Sequence, residues 1–176
     1  MGREVRMVPK GWEHPKYPDD HGEHHKRGRY IPLYDGGFAA RDAEWNEGWA
    51  QWQRGYVESY GEGEKWRLRT KDDGPTYSLY NGERPSPDDY MPDWPKSERT
   101  MFMMYEDTSE GTPISPAFDT SEELARWLAD NGASSFAGMT ATYEQWLRVC
   151  NGGFAPSAVM ENGVLKSGVE FLSQAT

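Results

Sequence analysis

Phe38, Trp45, Trp49, Trp52 and Tyr56 follow one another at spacings of seven, four, three and four residues, and no other feature of this chain restricts its fold as much. That spacing lays five large rings along one stripe of a helix, while Asp42, Glu44, Glu47 and Gln53 fall on other faces. A helix is therefore predicted over Phe38 to Tyr60, entered from the turn Asp35-Gly36-Gly37. Gly48 and Gly55 lie inside this span, and each costs about 1 kcal/mol relative to Ala in a helix interior. Packing of the rings, more than backbone propensity, has to hold such a helix together. The preference for rings extends along the chain: eight Trp, ten Tyr and six Phe occur among 176 residues of which only 36% are hydrophobic. One such ring buries about 150–250 Å², so a small, aromatic core is expected, and the composition is the opposite of that of a disordered chain.

The remaining punctuation predicts an α+β fold. Residues 1–29, rich in Pro, Gly, His and charge, read as an extended, partly flexible arm with one short extended stretch at Val5 to Val8. Residues 30–176 read as one domain that opens on a strand at Tyr30 to Tyr34. Pro75, Pro85, Pro87, Pro92 and Pro95 make 74–95 a long loop, because proline lacks the backbone donor that helices and central strands require. Thr100 to Tyr105 and Thr112 to Phe118 predict a hairpin across Asp107 to Gly111. Thr120 with Glu123, and Thr142 with Gln145, have capping-box spacing. They predict two shorter helices, one stopping at Asn131-Gly132 and the other running from Thr142 to Cys150. Asn162-Gly163, between two apolar stretches, predicts a terminal hairpin.

A net charge of −10 argues against a nucleic-acid surface, since duplex binding depends on Lys and Arg neutralising phosphates. The sign is unevenly spread. Met1 to Tyr30 holds seven Lys and Arg against five Asp and Glu, whereas Asp35 to Glu64 holds two against seven and Glu106 to Asp130 one against seven. Lys65, Arg67, Arg69 and Lys71 form a short basic run that reads as a solvated strand or loop edge, with an anion contact as the alternative. No apolar run approaches the roughly 20 residues that span a bilayer, and no apolar stretch follows the charges of the first residues. The single Cys150 fits a reducing compartment. Cytoplasmic placement, without membrane association, is the expectation.

Three kinds of site were weighed. His21, His24 and His25, with Asp19, Asp20 and Glu23 beside them, supply imidazoles and carboxylates for a divalent metal, either in a metal-binding protein or in a small metal-dependent enzyme. The spacing is not that of a helical zinc motif, and no other cofactor is expected. Asp88, Asp89 and Asp93 near Tyr90 and Trp94 offer a setting for acid–base chemistry, but acids in proline-rich loops usually form solvated turns, and no catalytic residue is assigned. Cys150 falls on the apolar face of its helix, as a buried inert thiol does. The third kind is a partner-binding surface. Trp and Tyr dominate interface hot spots, and a loop cannot bury Tyr80, Tyr90 and Trp94 all at once. These rings, with Asp88, Asp89, Glu44 and Glu47, are the predicted contacts for another protein.

The stretches Gly28-Arg-Tyr-Ile-Pro-Leu-Tyr-Asp-Gly36, Arg84-Pro-Ser-Pro-Asp-Asp-Tyr-Met-Pro-Asp-Trp94, Thr108-Ser-Glu-Gly-Thr-Pro-Ile-Ser115 and Glu123-Leu-Ala-Arg-Trp-Leu-Ala-Asp-Asn-Gly132 resemble small proteins encoded by tailed bacteriophages and prophages. The resemblance covers most of the chain from Gly28 onward. It implies origin, a phage protein made in the bacterial host cytoplasm, and carries no residue role. Small acidic phage proteins without catalytic machinery act by occupying a host or defence-system protein, so binding and modulating such a partner is the expected function. A minor virion or assembly component is the alternative.

Overall fold

The computed structural model describes residues 2–59, 63–106, 111–161 and 163–172, the side chain of residue 161 excepted. The architecture is α+β, with five helices and antiparallel sheets among the described residues. Contacts divide the chain into two units: unit 1 comprises Met1–Asp35 and Pro92–Thr176, and unit 2 comprises Gly36–Met91.

Unit 1 is built on a sheet of four strands. Strand β1 (Gly2–Val8) lies inside it, antiparallel to β4 (Met101–Glu106) over its whole length from Arg3↔Glu106 to Val8↔Met101. Strand β6 (Phe154–Pro156) pairs with its other side. The edge beyond β4 is β5 (Thr112–Pro113), where a proline costs no ladder hydrogen bond. The expected arm is thus corrected: its first residues form an interior strand. The expected strand at Tyr30 to Tyr34 reduces to isolated bridge positions at Tyr30, which pairs with Lys16, and Tyr34. The turn residues 107–110 lie outside the described residues.

Side chains alternate across the sheet. Met104, with Val5 and Phe102 packed beside it, belongs to the core under α3 (Ser121–Asp130) and α4 (Tyr143–Gly152). Both helices begin at the predicted threonines: Thr120 accepts from the Glu123 N–H at 3.1 Å, and of the two predicted capping boxes the reciprocal one, among the described residues, is that of Thr142 and Gln145. Leu124, Leu128, Trp146 and Val149 are fully buried between these helices and the sheet. Among the described residues the Trp146 indole N–H finds no hydrogen-bond partner there. Cys150 is buried in the same core, and desolvation pushes its thiol up to about 12, as expected of an inert cysteine. The short α5 (Gly168–Phe171) adds Val169 to this core.

The opposite face carries buried charge. Arg6, 3% exposed, donates to Glu4 Oε2 at 2.9 Å and to the Leu33 carbonyl at 2.7 Å, and its guanidinium stands 4.5 Å from the centre of the Tyr105 ring. On the helix-covered face, in line with Val5, Arg3 donates to the Ser134 carbonyl at 2.9 Å and lies 3.2 Å from Glu106. Buried cations persist only when paired in this way. The terminal hairpin, β7 (Ala158–Glu161) with β8 (Val164–Ser167), forms as predicted, with residue 162 of its tip outside the described residues.

Unit 2 starts with α1 (Phe38–Gln53). The helix is shorter than predicted because Gly55 adopts φ +85° and turns the chain into β2 (Tyr56–Glu58), which pairs with β3 (Trp66–Leu68). Gly55 therefore stops the helix instead of weakening its interior. The loop predicted for 74–95 contains a helix as well, α2 (Tyr77–Asn81), whose N-cap Thr76 accepts from the Leu79 N–H, and a 3-10 turn at Pro87–Asp89. Trp52, Val57 and Tyr77 form the core, with Trp45 and Tyr80 packed on it. Of the helical stripe only Trp52 is buried; Trp49 remains 38% exposed. Leu68 and Leu79 are 68% and 74% exposed, so this unit is held almost entirely by rings.

Candidate functional site

The elements of unit 2 converge on a cavity of about 300 Å³ whose walls are rings and whose rim is mainly carboxylate. Each wall residue is fixed by a specific contact. Tyr77, from α2, reaches the backbone of α1 at Gly48, where a Cβ would stand 1.9 Å from the phenol oxygen. Any side chain on the helix at that point would exclude the ring. Trp45 presents its indole from α1, edge-on to Tyr77 at 5.2 Å between centroids, and donates its Nε1–H to the Gly82 carbonyl at 3.2 Å. Tyr80, one helical step from Tyr77, donates its hydroxyl to the Glu58 carbonyl at 2.9 Å and tilts against Trp52. Trp66 joins them from β3.

Glu44, Glu47, Glu58 and Glu83 line this cavity, with Arg41 and Lys65 as its cations among the described residues. Arg41 pairs with Glu44 at 2.6 Å and Lys65 with Glu47 at 2.8 Å. The Lys65 ammonium is held above its ordinary pKa, first by that hydrogen bond to Glu47. No cation lies within salt-bridge distance of Glu58 or Glu83 among the described residues. The site has aromatic faces and uncompensated negative charge in one concavity, an arrangement that attracts cations.

The basic run contributes inward. Lys65 stands over Trp66, Arg67 forks onto Asp73, and Arg69 stacks over Trp52 at 4.3 Å. Asp73 is held far below the usual carboxylate range, first by Arg67 and then by the Thr70 N–H. Of the alternatives weighed for this run, these intramolecular partners account for Lys65, Arg67 and Arg69 without an anion.

Glu44, Glu47 and Tyr80, predicted as partner contacts, are thus brought to one cavity. The others are not. Tyr90 packs edge-on against Phe38 at 5.6 Å, and Asp88 and Asp89 stand exposed on the 3-10 turn. Trp94 belongs to unit 1, where it meets Trp12 at 4.7 Å. Tyr80, Tyr90 and Trp94 are each half-buried, and each lies against a ring of its own unit. Trp66, Tyr77, Glu58 and Glu83 were not anticipated. Thr76 capping a helix that carries Tyr77 and Tyr80 at i and i+3 was the local signal for two of them.

The histidines of the proposed metal segment are not gathered. His21 accepts from the Glu23 N–H at 3.1 Å and stacks edge-on with Tyr17, while His25 turns to Glu23 at 3.6 Å. Among the described residues no group of three or more His, Cys, Asp or Glu is arranged to hold a metal ion. The expected set of His21, His24 and His25 therefore finds no ligand geometry, since His21 and His25 take local partners instead.

His14 has a different setting, beside an open groove of about 870 Å³ in unit 1. Its Nε2 lies 2.6 Å from the Ile31 carbonyl, which only accepts, and its Nδ1 lies 3.1 Å from the Tyr105 hydroxyl. The proton therefore resides on Nε2, and Tyr105 donates to Nδ1. Burial lowers the His14 pKa, with Arg6 adding to the shift against the opposing Ile31 bond. Burial also pushes Tyr105 up to about 12. With both nitrogens engaged inside the unit, this histidine is a structural one.

No family model, curated protein or solved structure matches the chain. Among the described residues no helix is long and apolar enough to cross a membrane.

Proposed function

We propose that this protein works by binding a protein partner through the acidic, ring-walled face of unit 2, without catalysing a reaction on it. The cavity bounded by Trp45, Trp66, Tyr77 and Tyr80 and rimmed by glutamates is the observation that carries this reading. It combines the residue types that anchor interfaces with a charge pattern that selects the partner and speeds encounter. The resemblance of the chain to small phage proteins supports a bacterial host or defence-system protein as that partner, met in the host cytoplasm and modulated by being occupied. The ionisable groups with large pKa shifts, Asp73, Tyr105 and Cys150, are each explained by packing or pairing and do not converge on one cleft.

Affinity capture from bacterial lysate, with and without infection, tests the proposal. The expected result is one host protein recovered in proportion to the bait, with recovery reduced at least about tenfold when Trp45→Leu and Glu44→Gln are combined, as for an interface hot spot. Recovery of phage structural proteins alone would favour an assembly component, and recovery unaffected by those changes would remove unit 2 from the interface.

A further inference from the structure

A cation within about 6 Å of an aromatic centroid is attracted by the negative face of the ring. Among the described residues, unit 2 applies this to itself three times. Lys65 Nζ lies 5.0 Å from the centre of Trp66, Arg69 Cζ 4.3 Å from Trp52, and Arg84 Cζ 5.9 Å from Trp45. Arg69 and Arg84 are tied down, the latter by a fork onto Asp42 at 2.8 and 3.2 Å. What remains in the cavity is ring surface from Trp45, Trp66, Tyr77 and Tyr80, beside four glutamates and two cations, with Glu58 and Glu83 outside any ion pair among the described residues. We infer that this pocket receives the cationic end of a lysine or arginine side chain from a basic segment of the partner; the assignment rests on the partner-binding reading above.

Size and charge both select for that occupant. At about 300 Å³ the cavity is at the small end of ligand sites, which run from roughly 300 to 1,000 Å³, and suits one long side chain. An anion would meet an excess of glutamates. An apolar side chain would strip water from Glu58 and Glu83 and return no hydrogen bond, a cost that a buried carboxylate does not tolerate. A lysine or arginine places its methylene stem along the rings and its charge at the rim, as amphipathic side chains do.

Lys65 is then a tethered competitor. Its ammonium sits between the Trp66 face and Glu47 Oε2, on the ground an incoming cation would take. Removing its charge releases Glu47 and frees the ground over Trp66, so Lys65→Met should tighten binding of a cationic side chain there.

Calorimetric titration with hexalysine and hexaarginine peptides tests this, with hexaglutamate as control and tetramethylammonium as a small quaternary probe. The cationic peptides should bind with Kd below about 1 mM, corresponding to about −4 kcal/mol. Trp66→Leu should weaken them about tenfold and Lys65→Met strengthen them about threefold, within the range of cation–π energies. Trp66→Leu leaves the net charge unchanged, so diffuse attraction to an acidic protein would survive it. Equal binding by wild type and a folded Trp66→Leu variant overturns the assignment. Where that variant does not fold, Glu83→Gln and Lys65→Met decide, and peptide affinity indifferent to both overturns it equally. Tetramethylammonium binding without peptide binding would make this a small-molecule site and refute a partner side chain. Should the peptides fail while lysate capture still yields a Trp45-dependent partner, the pocket chemistry falls and partner binding stands.

Discussion

At the scale of single residues, the polar groups buried in unit 1 are specified by partners distant in sequence. His14 meets Tyr105 and Ile31, and Arg6 meets Leu33 and Tyr105. The His14 network predicts a pH response. Its folded pKa lies below the ordinary 6.5 because burial disfavours the charged ring. Below about pH 6.5 the unfolded chain takes up a proton that the folded chain refuses. Stability contributed by the neutral ring is therefore complete above 6.5 and lost as pH falls through the lowered folded value. Urea unfolding between pH 7.5 and 5 should show the midpoint declining, and His14→Gln should flatten that decline even though it lowers stability overall. A variant with an unchanged slope would place the response elsewhere. Nothing in Trp12-Glu-His14 announced this role, since the hydroxyl that orients the ring comes from β4.

At the scale of elements, legibility followed how local the determinants are. Helices α3 and α4 were readable because each threonine cap and the N–H it accepts from lie within four positions of one another. The β4–β5 pairing and the terminal hairpin were readable from apolar stretches on either side of a turn. Strand β1 was not: Arg3, Glu4 and Arg6 break its apolar pattern, and the carbonyls that help make the burial of Arg6 and Arg3 tolerable lie 27 and 131 residues away. The end of α1 was misplaced because Gly55 in the left-handed region overrides the ring spacing that continues to Tyr56. Gly48 tests how the element is held. Alanine there favours a helix by about 1 kcal/mol, but its Cβ would collide with the Tyr77 phenol, which is only 5% exposed. Gly48→Ala should therefore destabilise the protein by about 1–3 kcal/mol, as overpacking does, measured by chemical denaturation. A stabilising result would show that Tyr77 does not rest on the helix.

For the molecule as a whole, the wealth of aromatic residues serves two purposes. In unit 1, Trp146 fills a core otherwise made of aliphatic side chains, Met104 and Cys150. In unit 2 the rings are the core, and the same rings line the cavity. Glu44, Glu47 and Tyr80 were legible as contacts because composition marks acids and rings as interface residues. Their convergence with Trp66, Tyr77, Glu58 and Glu83 was not, because it requires α1, β2, β3 and α2 to close on one point. The eight tryptophans provide the most direct test of the central claim, since each contributes one indole N–H signal. Titration of the isotope-labelled protein with hexalysine should shift the Trp45 and Trp66 signals saturably and leave Trp12, Trp94, Trp127 and Trp146 in place. Shifts confined to those four unit 1 tryptophans, or small unsaturable shifts across all eight, would contradict it.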